Sequence, residues 1–484
     1  MKSAIVWILV AVALAAGAPA AAGWFLARDA DARVDELLEK APFLTVAKHS
    51  YHRGWFISDE TITFELGKGM PLPPVGAANG GAREPLQVTV HNTIHHGPVP
   101  AFAGIGLARI DTAIVPPPVS QPPAPAAEPL PPLTIQTTLG LFGDATTEIR
   151  QAQIKDRPLA GDWRVAADAV EFTIHRGRHA DTLEIQGKAP HVLLTRDNGV
   201  SIELTGLQAS IHSKRALRSI YTGDSELTMG DFEIRVPAGD GKATRTADAP
   251  AADDPSAAGA GAGDFSLRAL RATFHSEAAG EFVNNYGVVT ASYAGAGDYH
   301  VQGLKVDGGV EHLQMDAFDR VATGMRAIQR AHSGQPSGQG AAIQELWKTD
   351  GVDLLVNDPV LVIHDIEAAT KDGFVKLSGS ARLKGATRAD FKPAVDVRAL
   401  LSKLEIELNI AADEPFAQKL MSARGSANGK HPAEPSLQSL LAQGYLAEAN
   451  GRVSTSIRFA GGALTVNGKP FGPAVTRGTA TPQL

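Results

Sequence analysis

Along most of the chain, apolar and polar residues alternate one by one. Ile62, Phe64 and Leu66 alternate with Thr61, Thr63 and Glu65, and Leu86, Val88 and Val90 alternate with Gln87, Thr89 and His91. The same period recurs at Val170-Phe172-Ile174, Ile202-Leu204, Phe232-Ile234-Val236 and Leu404-Ile406-Leu408-Ile410. Successive side chains of a strand point to opposite faces, so period two predicts strands with one apolar and one polar face. That pattern belongs to antiparallel sheet solvated on one side. Turn residues such as Asp197-Asn198-Gly199 separate the strands, which predicts hairpins and meanders through most of residues 42–306.

A period of three to four takes over in the second half. Phe318, Val321, Met325 and Ile328 share one side of a helix, with Asp316, Asp319, Arg320, Arg326 and Arg330 around the rest, which predicts an amphipathic helix over 311–332. Asp413 can cap a second helix bearing Phe416 and Leu420, with Pro415 tolerated in its first turn. Leu437, Leu440, Leu441 and Tyr445 mark a third over 435–446, closed by Asn450-Gly451. A hairpin follows: Val453 to Phe459, Gly461-Gly462, Ala463 to Val466, ending in Asn467-Gly468-Lys469. The expected fold is α+β and β-dominated: long curved antiparallel sheets over 42–306, then a mixed region over 307–484 whose few helices cover sheet.

Three segments break the periodicity. Residues 116–132 are Pro-rich and read as an extended insertion, or as a ligand for a partner groove. Residues 238–263 are rich in Ala, Asp, Gly and Thr and read as a flexible linker. Ser333 to Gly340 is a shorter Gly/Ser/Gln break.

The N-terminus is different in kind. Lys2 precedes an uncharged run from Ser3 to Ala27, which closes on Trp24-Phe25 before Arg28-Asp29. About 20 apolar residues span a bilayer core, and tryptophan favours its interface. Residues 1–28 are therefore expected to be a retained transmembrane anchor, followed by an amphipathic helical connector over 29–41. The rival is a signal peptide, with Ala20-Ala21-Ala22 as its cleavage site. Both export the body: to the periplasmic face of a bacterial inner membrane, N-terminus in, or to the soluble periplasm.

Composition narrows the chemistry. Hydrophobic residues make up 44% of the chain, ample for a core, and a net charge of −7 over 484 residues lacks the basic footprint of a nucleic-acid binder. With no cysteine, disulfides, thiolate chemistry and Cys-ligated zinc are excluded. His91, His95 and His96 cluster, but without the spacing of a zinc protease helix; His91 and His95 share one strand face and His96 takes the other. His175 and His179 bracket an Arg-Gly-Arg hairpin tip. No Gly-x-Ser-x-Gly elbow occurs, Gly239-Asp240-Gly241-Lys242 lacks phosphate-loop spacing, and Asp350 and Asp353 read as solvated charges. The expectation is a non-enzymatic protein with no metal and no cofactor.

One string is denser than its surroundings. Tyr51-His52-Arg53-Gly54-Trp55-Phe56-Ile57-Ser58 packs three aromatics, an arginine and a glycine into the start of the first long strand. It reads as a packing nucleus with Gly54 at a bend, or as an aromatic girdle at a membrane surface or the mouth of an amphiphile site. Together with the N-terminal anchor, the elements Tyr51, Arg53, Gly54, Trp55, Phe56 and Ser58, the step His96-Gly97-Pro98, and the closing run with Leu464, Asn467 and Gly468, the chain resembles the YdgA-like family of uncharacterised bacterial envelope proteins. The resemblance implies an inner-membrane anchor and a periplasmic β-rich body, and it assigns those residues no role. The opening module is also distantly similar to AsmA-like envelope proteins, associated with lipid traffic between membranes. The resulting expectation is an anchored β-rich protein that binds or transfers a lipid or other amphiphile. The alternative is a scaffold without ligand, acting through sheet edges as a homo-oligomer or with another envelope protein.

Overall fold

A computed structural model describes residues 44–66, 86–102, 104–115, 131, 133–158, 163–218, 220–237, 264–297, 299–331, 338–391, 397–426 and 436–471. The expected anchor over 1–28, the connector over 29–41, the linker over 238–263 and all but Pro131 of the Pro-rich tract over 116–132 lie outside the described residues. Among those described, no helix is long and apolar enough to cross a membrane.

The chain is β-dominated. Its first strands are β1 (Leu44–His52), β2 (Ile57–Leu66), β3 (Leu86–His96), β4 (Ala108–Val115), β5 (Leu133–Leu139), β6 (Ala145–Gln151), β7 (Ile154–Pro158), β8 (Trp163–Ala167), β9 (Val170–Arg176) and β10 (Thr182–Arg196). Long strands follow: β11 (Ser201–Leu217), β12 (Ile220–Arg235), β13 (Phe265–Ala279), β14 (Phe282–Ala296) and β15 (Tyr299–Gln314). Helices α1 (Met315–Ala331), α2 (Gln339–Leu346) and α3 (Val352–Leu355) precede β16 (Val360–Thr370) and β17 (Gly373–Leu383). Then come α4 (Val397–Lys403), β18 (Leu404–Asp413), α5 (Glu414–Ser426), α6 (Leu437–Gln443), β19 (Ala447–Ala449), β20 (Arg452–Ala460), β21 (Ala463–Val466) and β22 (Lys469–Pro470). The residues part into two compact units, one of 1–197, 204–225 and 319–347, the other of 198–203, 226–318 and 348–484.

The first unit is an antiparallel meander in which each strand pairs with the next, β1 through β6. Its far side is as simple as its near side. β8 and β9 both pair with β10 in one unbroken register, Ala167 opposite Val192 and Glu171 opposite Lys188, with Asp168 N–H donating to His191 O between them. They are one strand with a kink. β6 and β7 likewise pair with β9 and β8, the register slipping near Asp156, whose φ of 41° marks the bulge. Across the meander one face carries Ile62, Ile94, Ile110, Ile135, Ile149, Phe172, Ile174 and Ile185 in mutual register. The other carries Thr, His, Glu, Gln and Lys, joined in cross-strand pairs such as Thr61 with His91 and Thr146 with His175.

In the second unit β13 to β18 pair in sequence and β20 continues the sheet, with β19 and β21 sharing the outer edge of β20. Helices α5 and α6 lay Phe416, Met421 and Leu441 against Val375, Ala412 and Val453, so Leu437 is buried between helix and sheet. That is the expected covering of a sheet face by amphipathic helix.

Three local expectations are corrected. The helix expected from residue 311 starts at Met315, because Leu313 and Gln314 still pair with Val283 and Phe282 of β14; Gln314 Oε1 then accepts the Ala317 N–H at 2.6 Å. Asp413 does not cap α5: its carboxylate accepts from Phe374 N–H at 2.9 Å and Arg452 Nε at 3.0 Å, tying β17 to β20. Helix α6 closes at Gly444, with φ 73°, and Asn450-Gly451 instead turns the β19–β20 hairpin. Its start is capped by Ser436 Oγ, which accepts from Ser439 N–H.

Candidate functional site

Nine of the twelve motif residues meet at one end of the first unit. Three connections lie side by side there: residues 53–56 between β1 and β2, 97–107 between β3 and β4, and 140–144 between β5 and β6. Backbone bonds knit them together. His96 N–H donates to Phe56 O at 2.8 Å, and Leu107 N–H to Leu139 O at 2.8 Å. Within the second connection Gly97 N–H donates to Leu107 O and Gly106 N–H to Pro98 O. The Gly97–Pro98 peptide is cis.

Beneath these turns Ser58 is wholly buried and His96 nearly so. Ser58 Oγ lies 2.8 Å from His96 Nε2 and accepts the Gly54 N–H at 3.2 Å. The hydroxyl thus staples the start of β2 both to the first turn and to the end of β3. With 0% exposure the hydroxyl is enclosed, and its two bonds tie the turns together. The glycines are required by space. A Cβ on Gly54 would stand 1.9 Å from Ile57 O, and one on Gly97 the same distance from Gly106 O. Tyr51 packs on the Ile94 and Ala108 core, as a packing nucleus should. Its hydroxyl and His96 Nδ1 are buried without a hydrogen-bond partner among the described residues. Burial, then the charge of Arg53, then His95, holds the His96 pKa below its usual value.

Trp55 and Phe56 do the opposite of packing: both are more than half exposed. Pro98 is exposed too, and Val99, Ile105, Leu141 and Phe142 of the neighbouring turns join them.

One turn of strand inward, the apolar face is crossed by a polar chain that the sequence reading missed. Glu60, buried, accepts from Asn92 Nδ2 at 2.7 Å and lies 3.0 Å from His49 Nε2, while Thr112 Oγ1 donates to Asn92 Oδ1 at 2.7 Å. These side chains link β1 to β4. The signal was available, since Glu60 falls in phase with Ile62 and Phe64 and so had to point inward.

The three clustered histidines part company. His91 meets Thr61 at 2.9 Å, His95 lies 3.3 Å from Asp111, itself bound by Arg109, and His96 turns to Ser58. Among the described residues no group of three or more His, Cys, Asp or Glu side chains is placed to hold a metal. His175 bonds Thr146, and His179 stands in the short turn between β9 and β10. Asp353 pairs with Arg388 at 2.6 Å.

The remaining motif residues sit in the second unit. Asn467, with φ 48°, and Gly468 turn the β21–β22 hairpin. Asn467 Oδ1 accepts from Ser456 N–H at 2.8 Å and its Nδ2 donates to Tyr445 O at 3.1 Å. Leu464 stands opposite Phe459 in the β20–β21 pair. That unit also carries an ionic cluster on neighbouring strands. Asp307 and Asp365 face each other across β15 and β16, and Lys305 and Lys376 both bind Asp365. Burial works to raise the Asp365 pKa, but hydrogen bonds with Lys376, Glu367 and Lys305 outweigh it and hold the group below the usual range.

No curated protein and no solved structure matches the chain. A family model does, over residues 1–474: "Bacterial protein of unknown function (DUF945)". The match spans nearly the whole chain, taking in the N-terminal apolar run, the turn motif and the closing Asn-Gly hairpin alike, and the chain belongs to this bacterial family.

Proposed function

We propose that this is an envelope protein, held at the inner membrane by residues 1–28 with its β-rich body in the periplasm, and that the apolar face of the first unit's sheet receives a lipid or other amphiphile. The observation that supports ligand binding is the state of that face. Ile110, Ile135, Ile149, Phe172, Ile174 and Ile185 are only half-buried among the described residues, although register places all of them together. An apolar sheet face is stable when a second layer or a ligand covers it. The acyl chain of an amphiphile has the length and chemistry to lie along such a stripe. Native mass spectrometry and lipid extraction of the full-length protein, purified in a detergent chemically distinct from its host's lipids, test this. Stoichiometric co-purifying lipid is expected, and protein that carries none and takes up none from added phospholipid overturns the reading.

A further inference from the structure

The rim formed by the three turns of the first unit has a composition unusual for loops. Residues 97–107 include no charged side chain in eleven positions, residues 140–144 carry Asp144 alone and residues 53–56 Arg53 alone, while the next turn at this end, 177–181 between β9 and β10, brings Arg178, His179 and Asp181 to the flank. Connections between strands are ordinarily the polar part of a fold. Here they hold out Trp55, Phe56, Val99, Ile105, Leu141 and Phe142, with Trp55 60% exposed and Ile105 and Phe142 each 74%. Single exposed apolar residues need no explanation, but six on adjoining turns make a patch.

Part of the backbone of these turns is also satisfied within the protein. An N–H or C=O placed in hydrocarbon without a partner is costly enough to keep irregular loops out of lipid. In this rim Gly97, Gly106, Leu107, Gly140 and Gly143 all donate their N–H groups to carbonyls of the rim or of the adjoining strand end, and Pro98 and Pro100 have none to satisfy. The Ser58–His96 clamp fixes the turns from below, which lowers the ordering cost of any docking. Trp55 beside Phe56, flanked by one cation, is the composition favoured at the headgroup–acyl boundary.

From this we infer that the rim is a membrane-inserting edge, its tips entering the interfacial zone of a phospholipid bilayer. The inference stands apart from the amphiphile reading, because the tips insert whether or not the sheet face holds a ligand. Reach is no obstacle when the bilayer is the one proposed to hold the N-terminal segment. Residues 28–43 span about 55 Å fully extended and about 30 Å with 29–41 helical, against roughly 30 Å for the length of β1 between Leu44 and the rim.

The chain has no cysteine, so single positions can be labelled without altering anything else. The full-length variants Ile105→Cys, Phe142→Cys and, as an exposed control on β7, Lys155→Cys would carry an environment-sensitive fluorophore. Each is reconstituted into phosphatidylethanolamine/phosphatidylglycerol vesicles containing lipid-borne nitroxide quenchers. A blue shift and at least twofold stronger quenching at the two rim positions than at Lys155→Cys is the expected result. Equal quenching at all three overturns the inference. So does absent rim quenching together with oxidative disulfide cross-linking of the unlabelled rim cysteines to a second copy, which would make this edge a protein interface. Flotation of the same samples reports retention by the N-terminal segment separately, so failure of the anchor and failure of the rim are told apart.

Discussion

His96 carries the protonation chemistry of the rim end. Ser58 Oγ already accepts from Gly54, so its single proton is best spent on His96 Nε2, leaving the imidazole neutral with its remaining N–H on the buried Nδ1. A second proton would put a charge on a buried ring opposite Ala108, within the field of Arg53. The folded-state pKa is therefore below the unfolded value. In the window between them the unfolded chain takes up a proton that the native one refuses, so stability falls as pH drops from about 6.5 through the folded pKa. Urea denaturation between pH 7.5 and 5 should show a steeper loss for the wild type than for His96→Gln, and equal slopes would refute the assignment. Ser58→Ala removes both bonds of the clamp and should cost about 1–3 kcal/mol at neutral pH. Gly97→Ala has no room to relax, because the atom it meets is backbone, and should cost about 3 kcal/mol. Circular-dichroism melts would show both.

At the scale of elements, the closing hairpin makes a similarly sharp case. Asn467 holds a left-handed conformation that its side chain supports from both ends, through Ser456 N–H and Tyr445 O. Asn467→Ala should cost about 2–3 kcal/mol and Asn467→Gly less, since glycine recovers the backbone term alone; a thermal shift for Gly as large as for Ala would argue against the conformational part. Asn467-Gly468 was legible as the end of the last hairpin, though not as the turn into a further strand, and the strands of both units were legible from alternation. Where the reading slipped, a long-range partner had changed the use of a local signal. Asp413 stands where a cap belongs, but Phe374 N–H and Arg452 compete for it from strands that sequence spacing cannot place. Glu311 to Gln314 continue the helical pattern of Phe318 and Val321, but strand pairing claims Glu311 for β16 and Leu313 and Gln314 for β14 first. The candidate site was half legible: the density of Tyr51 to Ser58 stood out, while its bond to His96, 38 residues away, needed the fold. Helices α2 to α4 carried too few periodic positions to be seen.

For the whole molecule, the proposed topology makes the strongest demand. Lys2 alone precedes the apolar run, and Arg28 is followed at once by Asp29 and Asp31, so basic residues orient the segment only weakly. N-terminus in and body out is the orientation proposed above, and the nature of the body is compatible with it. Long antiparallel strands closed by turns, without a cysteine, fold in either compartment; an edge of bare aromatic and aliphatic tips suits a protein kept close to a bilayer. A reporter active only in the periplasm, fused after Leu484, should therefore be active, and the protein should remain in membranes after carbonate washing. Activity with release into the soluble periplasm would mean cleavage after Ala22, and would leave the rim as the body's own means of reaching lipid. A silent reporter, with the body open to protease from the cytoplasm, would overturn the compartment altogether.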